Sequence, residues 1–235
     1  DYWPEFGQNG ETLAAEAPFW QPGTQHGYHA LTFGFCVGEL VRRISGRQSL
    51  WEFFRDEVRD PLGLDFSMGL PDSELPRLAP IIPADPPTPP FPNYLIKALT
   101  DPTSIQALIF NHGGYLNPGD LVDRAGLVRM SRVNSAGFDE FGLIPSRFAL
   151  GYVKSIDNRR GAPANEDSGI VSEDAFHHSG FGGSIGLVDR RARMSLGYVM
   201  NKQGPGTLLN PRGQSLVDAA YRSLGYVEAG GNWVR

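Results

Sequence analysis

Three apolar stretches in the C-terminal third constrain this chain most. They are RFALGYVKSI (147–156), GGSIGLVDRR (182–191) and RMSLGYVMNK (193–202). Each is short, rich in strand-forming residues and bounded by glycine or charged turns, so each is predicted to be an antiparallel strand. PRGQSLVDAAYRSLGY (211–226) follows and reads as a helix that stops at Gly225. The N-terminal half has a different texture. YHALTFGFCVGELVRRISG (28–46) places Leu31, Phe35, Leu40, Val41 and Ile44 near helical spacing, with a glycine stop. SLWEFFRDEVRDPLG (49–63) has a serine cap and is expected to end before Pro61. DLVDRAGLVRMSRV (120–133) also reads as a helix, and PADPPTPPFPN (83–93) as a polyproline-like connection. Helices, then strands, then a last helix make an α+β fold, not a repeated βαβ unit. The expected organisation is one domain over 1–235, mainly helical over 28–147, with sheet strands and the C-terminal helix over 148–235.

Bulk properties exclude several function classes. With 235 residues, 40% hydrophobic and 20% charged, the chain has an ordinary globular composition. The net charge is −5 and the 21 Lys and Arg are scattered, which argues against nucleic acid as a partner. The single cysteine, Cys36, lies in an apolar run and is expected to be a small buried side chain. No apolar run reaches the roughly 18–20 residues that span a bilayer. The first residues carry no visible signal peptide, so the expected location is the cytoplasm.

Residues 182–186, Gly-Gly-Ser-Ile-Gly, fit the G-x-S-x-G nucleophile elbow. That motif requires a histidine after the serine and a helix following it. The five histidines, His26, His29, His112, His177 and His178, all precede Ser184, and the residues after it read as strand. The glycines are therefore expected to serve a tight turn or close backbone approach. No H-E-x-x-H, cysteine cluster or phosphate loop occurs, so neither metal nor organic cofactor is implied.

Three stretches together carry a resemblance: YWPEFG at 2–7, WQPGTQHGYHALTFGFCVGELVRRISG at 20–46, and HHSGFGGSIGLVD through SLGYVMN at 177–201. The chain resembles the serine β-lactamase and penicillin-binding-protein superfamily, and within it the family VIII carboxylesterases. The W-x-P-G-T-x-x-x-Y element and a strand-borne H-x-G carry it in this order. The resemblance implies a β-lactamase/DD-peptidase-like fold, an antiparallel sheet flanked by helices. It implies Ser-x-x-Lys, Tyr-x-Asn and Lys-Thr-Gly as the catalytic motifs. Tyr28 then takes the tyrosine place and acts as proton shuttle. His178-Ser179-Gly180 takes the place of Lys-Thr-Gly. His178 supplies a hydrogen bond, or positive charge, on the substrate side. The N–H of Phe181 forms part of the oxyanion hole, with Gly180 beside it, while Trp20 and Phe181 are candidates for an acyl pocket.

The chain departs from that pattern in places. Its three lysines, Lys97, Lys154 and Lys202, follow Tyr94, Gly151 and Val199 by three, so no Ser-x-x-Lys exists among these residues. The resemblance implies that this motif precedes Asp1. Ala30 and His178 replace the asparagine and lysine that would grip a β-lactam, which favours esters without a carboxylate. The expected function is a serine hydrolase that cleaves small carboxylic esters through an acyl-enzyme, with weak or no β-lactamase activity. The alternative is a catalytically inactive β-lactamase-like binding or scaffold protein.

Overall fold

The computed structural model describes residues 13–29, 32–82, 93–110, 132–161, 168–206 and 208–235. The proline-rich 83–92, most of the expected helix at 120–133, and Ala30 lie outside them. Helix α1 spans Thr32–Ser45, α2 Leu50–Phe54, α3 Asp60–Leu62, α4 Asn93–Thr100 and α5 Ile105–Phe110. Strands follow at β1 Ser135–Phe138, β2 Pro145–Phe148, β3 Ala175–Ser179, β4 Ile185–Asp189 and β5 Met194–Tyr198. Helix α6, Pro211–Ser223, leads to a small hairpin of β6 Val227–Glu228 and β7 Trp233–Val234. The α+β class and the antiparallel sheet match the sequence reading. The strands start earlier than expected, because β1 and β2 already occupy 135–148.

All strand pairs are antiparallel: β1 with β2, and β3–β4–β5 in that order. Val153 joins the two groups by bridging Phe148 on one side and His177 on the other. Side chains alternate across a strand, so the register fixes two faces. Ala175, Ile185, Leu187, Met194, Leu196 and Tyr198 face α6, where Val217 and Tyr221 are fully buried. Burying side chains of this size stabilises the fold by about 1.5–3 kcal/mol each. Asp189 is also buried there, and its charge is met by hydrogen bonds from Tyr221 Oη (2.8 Å), the Ala192 N–H (2.8 Å) and Ser172 Oγ. His178 sits on the opposite face, in register with Gly186 and then Gly197.

Local chemistry explains the element boundaries. Ser49 caps α2 by accepting from the Glu52 N–H (3.2 Å). The helix does not end before Pro61. It widens to a π turn over Arg55–Arg59 and continues as α3 to Gly63, which takes the left-handed conformation at φ 62°. The wider turn relieves the clash between a proline ring and the carbonyl four residues earlier. Helix α1 begins at Thr32, not at Tyr28. Its buried side carries Gly38 and Glu39, and Glu39 is gripped by Arg42 (2.7 Å) and Arg43 (2.6 Å). Cys36 points about 110° away from the mid-line between Gly38 and Glu39 and is exposed, contrary to expectation. Leu40 and Ile44 of the expected core stripe are 58% and 85% exposed for the same reason. No helix among the described residues is long and apolar enough to cross a membrane.

Candidate active site

The segment that carries Tyr28 is built by a turn and a clamp. Pro22 and Gly23 are the central residues of a turn closed by the Thr24 N–H on Gln21 O (3.1 Å), with Gly23 at φ 87°. This is the Pro-Gly chemistry of a type II turn. Trp20 then donates from Nε1 to Gln25 O (3.1 Å). The Glu140 N–H donates to His26 O (3.1 Å), which lays residues 25–28 along the β1–β2 loop instead of in a helix. Gly27 eases the close approach of that clamp, since a Cβ there would lie 3.1 Å from the Trp20 ring and one of the two would have to shift slightly.

Tyr28 projects into an aromatic cage. Its ring stacks on Phe148 (centroids 6.0 Å apart, planes at 6°) and leans on Phe141 (6.1 Å). Its hydroxyl reaches His178 Nε2 at 3.3 Å, across 150 residues of sequence. His178 Nδ1 lies 2.9 Å from Ser179 O. A carbonyl oxygen only accepts, so Nδ1 carries the proton. Burial pushes the imidazole below its ordinary pKa, against the opposing pull of the Ser179 bond. His178 is therefore neutral near pH 7, and its bare Nε2 accepts from the Tyr28 O–H. The positive charge considered for His178 on the substrate side is not supported, because this burial disfavours the cation. Burial also pushes the Tyr28 phenol above its ordinary range, and the Asp139 carboxylate pushes it the same way.

The remaining sequence candidates fall at the β3–β4 turn. The Gly183 N–H donates to Gly180 O (3.0 Å), and Gly182 takes the left-handed position at φ 89°. The Gly180 N–H is already committed to Ser184 O (2.9 Å), whereas the N–H of Phe181 makes none of the backbone bonds of this turn. Phe181 is 62% exposed and Ser179 is buried. Ser184 sits in the turn with β4 directly after it, and its Oγ occupies the space a Cβ at Gly180 would need. That geometry has no place for a nucleophile elbow. The turn is locked from behind by Asn210, which donates to Gly182 O (2.7 Å) and caps α6 at the Gly213 N–H (3.1 Å). A Cβ at Gly183 would strike the Asn210 side chain, so close approach is what requires that glycine.

Sequence reasoning missed Phe141, Phe148, Asp139, His26 and Ser146. His26 Nε2 bonds Ser146 Oγ at 3.0 Å and stands 4.0 Å from Asp139 Oδ2. These residue types form catalytic triads elsewhere, but a triad bridges serine and aspartate through opposite ring nitrogens. Here both approach Nε2, and Ser146 is buried. The only readable signal was Asp139-Glu140-Phe141-Gly142, a turn sequence between two apolar segments. The three lysines are elsewhere. Lys97 pairs with Asp101 (2.6 Å), Lys154 donates to Glu173 O (2.6 Å) and Ala175 O (2.5 Å), and Lys202 bridges Ile82. Among the described residues no group of three acidic, histidine or cysteine side chains could hold a metal.

Comparison with known proteins places the fold in a family. The beta-lactamase family profile matches residues 1–221, and the chain belongs to that family. The crystal structure of a family VIII carboxylesterase superposes with a TM-score of 0.69 at 30% identity, covering 93% of this chain and 64% of that one. A penicillin-binding-protein homologue from Caulobacter crescentus gives 0.67 at 30% identity, with the same coverage. EstA from Arthrobacter nitroguajacolicus Rue61a gives 0.71 at 26% identity, covering 94% of this chain and 66% of its own. The chain thus spans less than two thirds of the length of these structures. No curated protein sequence matches it.

Proposed function

We propose that the whole protein is a serine esterase that works through an acyl-enzyme, and that this chain supplies its proton-shuttling wall. The observation that supports it most directly is the 3.3 Å contact of Tyr28 Oη with His178 Nε2. An attacking serine hydroxyl must lose a proton as it adds to the ester carbonyl. Tyr28 is held neutral by its surroundings, so a standing tyrosinate is disfavoured. The pair offers another route. Tyr28 Oη takes the proton from the nucleophile while its own proton passes to His178 Nε2. The phenol stays neutral, and the imidazolium keeps its Nδ1–H bond to Ser179 O. The reverse transfer returns a proton to the leaving alcohol as the C–O bond breaks, and water repeats the cycle to release the acid. The Phe181 N–H is the donor to the developing oxyanion, a contact worth on the order of 3 kcal/mol.

The substrate side favours uncharged esters. His178 stands neutral where a β-lactam carboxylate would need a cation. The test is the intact mass of the protein before and after a fluorophosphonate. One covalent adduct, abolished by heat unfolding, is the expected result. No adduct on protein that is folded and pure removes the acyl-enzyme reading and leaves the binding or scaffold protein.

A further inference from the structure

We propose that Asp139 is a positioning residue for Tyr28, acting through the loop it ties and through the one carboxylate oxygen which that loop leaves unbonded. This rests on Tyr28 being the proton shuttle. Asp139 is buried at the end of β1. Its Oδ1 accepts from the N–H groups of Phe141 (3.0 Å) and Gly142 (2.7 Å). Its own N–H donates to Ile144 O (2.9 Å), and its carbonyl accepts from the Leu143 N–H (2.9 Å). These bonds hold Leu143 in the left-handed region at φ 53°, a conformation that a branched residue adopts only when its surroundings enforce it.

The tied loop then presents Phe141 to the Tyr28 ring and the Glu140 N–H to His26 O. Gln106 of α5 fixes the loop from below, donating to Glu140 O (2.7 Å) and Phe141 O (3.0 Å). Backbone and ring of the Tyr28 segment thus both rest on the loop that Asp139 organises. Oδ2 is different. It is buried and has no hydrogen-bond partner. The nearest cationic candidate, His26 Nε2, is 4.0 Å away and already bonds Ser146 Oγ. An ion buried without a full complement of bonds projects its charge onto its neighbours. Tyr28 feels that charge as a push toward the protonated form. The effect favours relay through a neutral phenol over a resident tyrosinate. Among the described residues, the ionisable groups around Tyr28 are His178 on β3, His26 on its own segment and Asp139, with Glu140 bordering Gly27.

The test is Asp139→Asn in the intact protein. The amide oxygen still accepts from the loop, but the charge is gone. Tyr28 ionisation is read as the difference in ultraviolet tyrosinate absorbance between proteins with and without Tyr28→Phe. In Asp139→Asn its midpoint is expected to fall, because the carboxylate that adds to the push of burial is gone. The alkaline limb of kcat for p-nitrophenyl butyrate should move down with it, and that movement should vanish in Tyr28→Phe. An unchanged Tyr28 midpoint in a folded variant overturns the proposal. Should Asp139→Asn fail to fold, Asp139→Ser keeps an uncharged acceptor for the Gly142 N–H and is titrated in its place. A shifted midpoint with no effect of Tyr28→Phe on kcat/KM upholds the positioning by Asp139 and removes the shuttle.

Discussion

His177 shows how one residue's placement becomes a pH dependence. It is fully buried beside Gly169 and neither ring nitrogen has a partner. Burial, with smaller contributions from His178 and Lys154, lowers its pKa to about 3. The unfolded chain binds that proton at the ordinary value of about 6.5. The unfolded state therefore holds more protons between those values, and stability falls as pH drops through this window. His177→Leu should flatten the urea-unfolding stability between pH 6 and pH 4, by up to about 1.4 kcal/mol per pH unit. An unchanged slope would contradict the neutral buried imidazole. At this scale Tyr28 and His178 were legible in the sequence, because both sit in local motifs. Asp139 and Phe141 were not. Phe141 meets the Tyr28 ring, and Asp139 ties its loop, from more than 100 residues away, which no local pattern encodes.

Asn210 illustrates how an element carries the site. It begins α6 and grips the β3–β4 turn that presents Phe181. Asn210→Ala should lose the cap and the bond to Gly182 O together, costing about 1–3 kcal/mol in urea unfolding with an unchanged m value. Asn210→Ser keeps a capping oxygen without setting an acceptor against Gly182 O, and should recover part of that loss. Equal losses in both variants would show that the cap contributes nothing. Strands β4 and β5 and helix α6 were legible because turns and apolar alternation punctuate them, whereas the strand expected over 147–156 is only the end of β2 followed by isolated bridges at Val153 and Ile156. The start of α1 was not legible either. The Glu140 N–H bond to His26 O and the Phe141 ring against Tyr28 outweigh the helical spacing that continues back through Tyr28. The expected stop at Pro61 failed because a π turn absorbs the proline, a backbone adjustment the sequence does not announce.

For the whole molecule, the two sheet faces divide the work. One packs α6 and holds the fold together, and the other meets Tyr28 and its cage. The α+β order was readable from the succession of helical and strand-like segments, and the family from the widely spaced W-x-P-G-T-x-x-x-Y and H-x-G elements. The join between them was not, because Val153 makes it by isolated bridges, not by a strand long enough to show a pattern. With a neutral His178 in the place of the third-motif lysine, the enzyme should prefer p-nitrophenyl butyrate to nitrocefin in kcat/KM, and faster nitrocefin cleavage would contradict the ester assignment. The most direct test of the shuttle is Tyr28→Phe in the intact protein, measured as kcat/KM for p-nitrophenyl butyrate alongside Tm. Removing one hydroxyl leaves the ring stacked on Phe148 and the fold unchanged. A loss on the order of 10²-fold or more with little change in Tm is the expected result. Activity within a few-fold of the parent would contradict the role of Tyr28.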